Sequence, residues 1–229
     1  MDFESFTLLA ATDGLGVEPA ARADADGLEL RMDFADEPLA QLDTYSGDLP
    51  ILVTNRPTWE GGEAADTARR LDVLETALEH DAVTAVDLEL AALEGAGDHD
   101  ASRVADVARD HDASVVVSTH NFESTPDREA IVDRLERACG HGDVGKMAST
   151  AQSPDDVLAM LGATRELTAG GEQVATMCMG SAGRHSRAVA PLYGSCIGYA
   201  PVDPADATAP GQYDLATLRR LVGQLQSDA

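Results

Sequence analysis

Short runs of Val, Ile and Leu alternate along the chain with longer stretches in which apolar residues return every three or four positions. The short runs read as strands buried on both faces and the longer ones as amphipathic helices, the pattern of repeated strand–helix units around a parallel sheet. Eight strands are predicted, over residues 6–11, 27–33, 51–55, 82–90, 113–119, 144–149, 173–179 and 195–199. Helical periodicity is clearest over 63–80, 102–111, 126–139, 154–168 and 215–226. Two of these helices open on entry signals, Ser124-Thr125-Pro126 and Ser153-Pro154-Asp155, which place a capping hydroxyl beside a first-turn proline.

Eight strands alternating with helices point to an α/β fold of the (β/α)8 TIM-barrel type, a single domain over residues 1–229. The rival is an open doubly wound sheet. Such a sheet normally carries a glycine-rich phosphate turn after its first strand, and the segment Thr12-Asp13-Gly14-Leu15-Gly16 lacks that spacing.

Charge narrows the class of partner. The formal net charge is −25, spread along the whole length, so neither a nucleic-acid backbone nor an anionic membrane surface is an expected partner. With 44% hydrophobic residues the chain can bury a core and is not disordered. A folded domain with so acidic a coat repels itself in dilute buffer, whereas at molar salt the Debye length falls to about 3 Å. A salt-rich cytosol is therefore expected. Cys139, Cys178 and Cys196 form neither a disulfide framework nor a zinc-ligand spacing, and Cys178 and Cys196 sit in apolar runs as small core residues. No metal site is expected. The amino terminus lacks a basic region followed by an apolar stretch, and no apolar run is long enough to span a bilayer, so the expected location is cytoplasmic.

In a barrel the chemistry belongs where strands end and the following loops begin, and there the polar residues collect. Glu29 and Arg31 close the second strand; Arg56 follows the third, with Glu60-Gly61-Gly62 beyond it. Asp87 and Glu89 interrupt the apolar fourth strand, His120 ends the fifth, and Lys146 lies in the sixth. Lys146 is the single lysine among 16 basic residues. Flanked by Val144, Met147 and Ala148, it points either into the barrel or at the helix layer. Burial disfavours its charged form, and a neutral amine attacks carbonyl carbon, which makes an imine chemically reasonable. Alternatively it pairs with a strand carboxylate such as Glu89. His120 is suited to moving protons near neutrality, with Glu60 placed to orient it, although Glu-Gly-Gly is also an ordinary turn. Arg187, beyond a glycine-rich loop after the seventh strand, could clamp a carboxylate, as could Arg56; either could equally pair with a surface acid.

Taken in order, Glu29-Leu30-Arg31, Arg56 with Glu60-Gly61-Gly62, Asp87-Leu88-Glu89, Ser118-Thr119-His120-Asn121-Phe122, Gly145-Lys146-Met147-Ala148, Met179-Gly180 with Ser186-Arg187, Gly194-Ser195 and Ala209-Pro210-Gly211-Gln212 resemble type I 3-dehydroquinate dehydratase. The resemblance runs from residue 29 to 212. It implies a (β/α)8 barrel, usually a homodimer, that removes water from 3-dehydroquinate to give 3-dehydroshikimate on the route to aromatic amino acids, with no metal or organic cofactor.

By matching position, the resemblance implies that Lys146 forms the imine, that His120 is general base and general acid, and that Glu60 holds His120. It further implies that Glu29, Arg31, Arg56, Arg187, Thr208 and Gln212 contact substrate. Asn121 stands where the family commonly has aspartate, and Thr208 where it commonly has serine. Two other readings share the lysine: an imine-forming aldolase, and a barrel that binds the metabolite without turning it over.

Overall fold

The computed structural model describes residues 1–65, 67–95, 100–206 and 211–227. Eight parallel strands are present: β1 (Thr7–Thr12), β2 (Gly27–Arg31), β3 (Ile51–Thr54), β4 (Val83–Glu89), β5 (Ser114–Asn121), β6 (Val144–Thr150), β7 (Val174–Met179) and β8 (Ile197–Ala200). They lie in the order β7-β6-β5-β4-β3-β2-β1-β8. Between β7 and β8 the described contact is a single bridge, Val174 to Ser195, helped by Cys196 N donating to Val174 O (2.8 Å) and Thr176 N to Ser195 Oγ (2.9 Å). The barrel is thus nearly closed, with one seam. All eight expected strands occur, most with ends shifted by one or two residues.

The helices are α1 (Glu18–Ala21), α2 (Pro38–Thr44), α3 (Ala68–Leu78), α4 (Leu90–Leu93), α5 (Ser102–Asp110), α6 (Arg128–Cys139), α7 (Pro154–Gly170), α8 (Gly180–Gly183), α9 (Ser186–Val189) and α10 (Leu215–Gln226). Helix α7 starts as expected, with a capping box in which Ser153 accepts from Asp156 N and Asp156 accepts from Ser153 N. Helix α6 starts two residues later than expected. Thr125 spends its hydroxyl on Ser149 and the Thr150 carbonyl, and Asp127 caps the helix instead, accepting from Ala130 N at 2.9 Å. Helix α3 likewise starts at Ala68, not 63, because Ala64 is held extended: its N–H donates to Arg56 O and its carbonyl accepts from Thr58 N, each at 3.0 Å.

Strand alternation sorts the barrel interior into two zones. Toward the amino ends of the strands the interior is apolar, filled by Leu9, Leu52, Ala85, Val116, Val144, Ala175 and Ile197 and stoppered from below by Phe3. Two residues further along, the same inward faces carry Ala11, Thr54, Asp87, Ser118, Lys146, Met177 and Tyr199. The opposite faces of the strands pack under the helices in two further apolar clusters. Cys178 and Cys196 are core residues, their thiols pushed by burial up to about 11 and about 12.

Candidate active site

The carboxyl ends of the strands surround a cup lined by Glu29, Arg31, Thr54, Arg56, Glu60, Gly61, His120, Phe122, Lys146, Ala148, Met177, Met179, Arg187, Tyr199 and Gln212. Eight of the nine residues expected at the site meet there. The ninth, Thr208, lies outside the described residues, as do Ala209 and Pro210 of the same motif.

Lys146 points into the barrel and is 5% exposed. Its Nζ donates to Asp87 Oδ2 at 2.8 Å and sits 4.2 Å from the centre of the Tyr199 ring. Its carboxylate partner is therefore Asp87 and not Glu89. Asp87 is wholly buried; Ser118 Oγ donates to the same oxygen at 2.7 Å and Arg56 Nη2 to the other at 2.5 Å. Burial alone would raise the Asp87 carboxyl, but Arg56 and Lys146 outweigh it and hold it well below the usual carboxylate range. Glu89 belongs one step further out, bridging Arg56 Nη1 (2.7 Å) and Arg70 Nη1 (3.0 Å). Arg56 lines the cup, yet both its terminal nitrogens are occupied by these carboxylates.

His120 stands one strand from Lys146, with Ser118 opposite Lys146 and His120 opposite Ala148 in the β5–β6 ladder. Glu60 Oε1 accepts from the His120 backbone N–H at 2.7 Å and lies 3.2 Å from Nδ1. Burial lowers the imidazole from the ordinary 6.5 to about 4; Arg56 and Lys146 push the same way against the Glu60 hydrogen bond. The ring is therefore neutral at pH 7. With Nδ1–H donating to Glu60, Nε2 keeps its lone pair for the cup. The ring stacks on Phe122 at 5.7 Å and an interplanar angle of 7°.

The Glu-Gly-Gly turn is more specific than an ordinary turn. Gly61 has φ +79°, and a Cβ there would lie 2.2 Å from the Phe122 ring; at Gly62 it would lie 2.1 Å from Arg56 O. Two glycines are what allow Glu60 to reach His120 past Phe122 and Arg56. The Asn121 side chain bonds to the backbone: its Oδ1 accepts from Glu123 N and Ser124 N at 3.1 and 3.0 Å, closing the turn after β5.

The other expected contacts differ in how they are held. Glu29 is buried and accepts from Thr54 Oγ1 at 2.9 Å. Arg31 forms a two-point pair with Asp33, 2.9 and 2.6 Å, and its guanidinium stacks 4.3 Å from the Phe34 ring centre. Arg187 is 5% exposed with Nη1 3.6 Å from Met177 Sδ; burial lowers its guanidinium to about 10, so it remains a cation at neutral pH. Four cations line the cup, three of which, Arg31, Arg56 and Lys146, are paired with carboxylates, and Glu29 and Glu60 line it as well. Sequence reasoning missed Tyr199, Met177, Met179 and Phe122 as walls of the cup and Ser118 beneath Asp87. In β7 and β8 the lining side chains carried no signal separating them from core.

A family-level sequence profile described as type I 3-dehydroquinase matches residues 13–229. The chain is 93% identical over 229 residues, all of each chain, to a protein named 3-dehydroquinate dehydratase from Haloarcula marismortui. It is 50% identical over 226 residues, 99% of this chain and 100% of the other, to one of that name from Halobacterium salinarum. Among solved structures it is similar to 3-dehydroquinate dehydratase from Geobacillus kaustophilus, with a TM-score of 0.84 at 27% identity, covering 98% of this chain and 93% of that one.

Proposed function

The chain belongs to the type I 3-dehydroquinases and is a 3-dehydroquinate dehydratase, a hydro-lyase of the shikimate pathway, and from that premise we propose that the elimination runs through an imine on Lys146 with His120 as the proton carrier. The observation that carries this reading is one cup holding both the amine of Lys146 and a neutral imidazole backed by Glu60.

The amine attacks the ketone carbon and the ketone oxygen departs as water, leaving a protonated imine. His120 Nε2 takes a proton from the carbon next to it; the C–H pair becomes the C=C bond of an enamine, and the C=N pair moves onto nitrogen. Return of the nitrogen pair expels the hydroxyl on the following carbon, which leaves as water with the proton His120 holds. A second water then hydrolyses the imine and frees 3-dehydroshikimate and the lysine. The protonated imine is itself the electron sink, so the reaction as proposed uses no cofactor.

Glu60 keeps the imidazole in one tautomer and orientation. Arg187 is the carboxylate clamp, Glu29, Arg31 and Arg56 line the side that receives the hydroxyls, Gln212 contacts the substrate from beyond β8, and the substrate contact of Thr208 rests on the resemblance alone. The proposal also takes in the family's usual homodimer and a cytoplasmic location. The acid coat agrees with the halophilic sources of the relatives.

Incubation with 3-dehydroquinate in molar KCl should raise ultraviolet absorbance as the enone forms. Borohydride added during turnover should fix one ligand mass on Lys146, located by mass spectrometry. Full turnover with no adduct on Lys146 would refute the imine. Light scattering in the same salt tests the dimer.

A further inference from the structure

We propose that Asp87 is the counter-ion of Lys146 through the whole cycle, holding first the resting ammonium and then the protonated imine on the same nitrogen. This rests on the imine reading above. The described partners of Nζ are the Asp87 carboxylate at 2.8 Å and the face of the Tyr199 ring at 4.2 Å, and both attract positive charge.

Asp87 cannot swing away. One oxygen is held by Arg56, the other is shared between Lys146 and Ser118, and no part of the side chain reaches solvent. Arg56 is anchored by Glu89, and Glu89 by Arg70. A line of alternating charges therefore runs from the cup through β4 and β3 to α3 and keeps the carboxylate aimed at Nζ. The other ionisable groups lining the cup are Glu29 and Arg31 of β2, His120 of β5, Glu60 of the turn after β3, and Arg187 of α9. Among the described residues none of these five is hydrogen-bonded to Nζ.

The proton balance shows why a fixed anion belongs there. An ammonium and a ketone give a protonated imine and one water, so the nitrogen carries one positive charge before and after the imine forms. A carboxylate placed for the first state is already placed for the second, with no reorganisation. Electrons released by the departing α-proton displace the C=N pair onto nitrogen only while that nitrogen is protonated. The anion therefore protects the electron sink, at the cost of slowing the brief loss of a proton that attack requires.

The test uses the complete protein in molar KCl with 3-dehydroshikimate as probe, because its conjugated imine absorbs further to the red when protonated. In the wild-type protein the red-shifted band should persist from about pH 6 to about pH 9. In Asp87→Asn, which keeps shape and removes charge, the band should be lost at a pH lower by about one unit or more. Its kcat should fall at least about tenfold with KM moving less, since the loss falls on the transition state. Absence of any imine in the wild-type protein refutes the imine reading itself. An imine that forms in both proteins and loses its proton at the same pH refutes the counter-ion alone. Should Asp87→Asn not fold, the wild-type titration decides, because an imine already unprotonated at neutral pH has no effective counter-ion.

Discussion

His120 should make this protein acid-labile by an amount that a neutral side chain of similar size does not. In the folded state the imidazole takes a proton only near pH 4, held down first by burial and then by Arg56 and Lys146. In the unfolded chain it does so near the ordinary 6.5. As pH falls below neutrality the unfolded state therefore binds the proton first. Stability is unaffected above about 6.5, is lost between about 6.5 and about 4, and levels off below. At 1.36 kcal/mol per pH unit that gap amounts to about 3 kcal/mol; with the side chain 13% exposed, solvent screening removes only a minor part. The 41 carboxylates also titrate in acid, so the quantity to measure is a difference. Urea unfolding in molar KCl at pH 7 and pH 4 should show the wild-type protein losing about 3 kcal/mol more than His120→Asn. The same imidazole sets the acid limb of kcat/KM, expected near pH 4 and not near 6.5. Parallel losses in the two proteins, with an acid limb at 6.5, would refute the burial argument.

Lys146→Arg keeps the cation beside Asp87 but cannot attack carbon, so turnover should fall more than about 10³-fold with melting temperature shifted by only a few degrees. Lys146→Ala should also abolish turnover and cost about 3 kcal/mol in urea unfolding, because a buried pair loses one partner. Gly61→Ala forces a Cβ into the Phe122 ring at a positive φ; unfolding should show a loss of about 1–3 kcal/mol, and kcat should drop as the His120–Phe122 stack is displaced. Asn121→Asp keeps an oxygen acceptor for Glu123 N and Ser124 N, so kcat and the acid limb should both stay within about twofold and a few tenths of a pH unit. A large shift there would mean that this side chain reaches the imidazole during turnover.

Much of the site was legible because a strand repeats every two residues. Once Lys146 is assigned to a strand, Val144 and Ala148 share its face; once Asp87 and Glu89 break an apolar strand, their side must be one where charge is tolerated. The position of the Glu-Gly-Gly turn was legible too, although its reason is not local: only the approach of Phe122 and the Arg56 carbonyl shows why both glycines are needed. Helix starts were less legible, since Thr125 can cap a helix or bond to β6, and the neighbouring strand decides.

The sequence by itself determined the parts: eight parallel strands, the barrel, one lysine within the sixth strand, a histidine at the end of the fifth, and an acidic coat. Which parts touch was decided only by the tertiary structure. Lys146 meets Asp87 instead of Glu89, Arg56 is tied between two carboxylates, and Tyr199, apolar to any local reading, lies under the Lys146 nitrogen. The physical reason is that alternation says which face of a strand a side chain occupies, whereas its height and angle inside a barrel come from the stagger accumulated around all eight strands. That stagger is a property of closure, and no single segment encodes it.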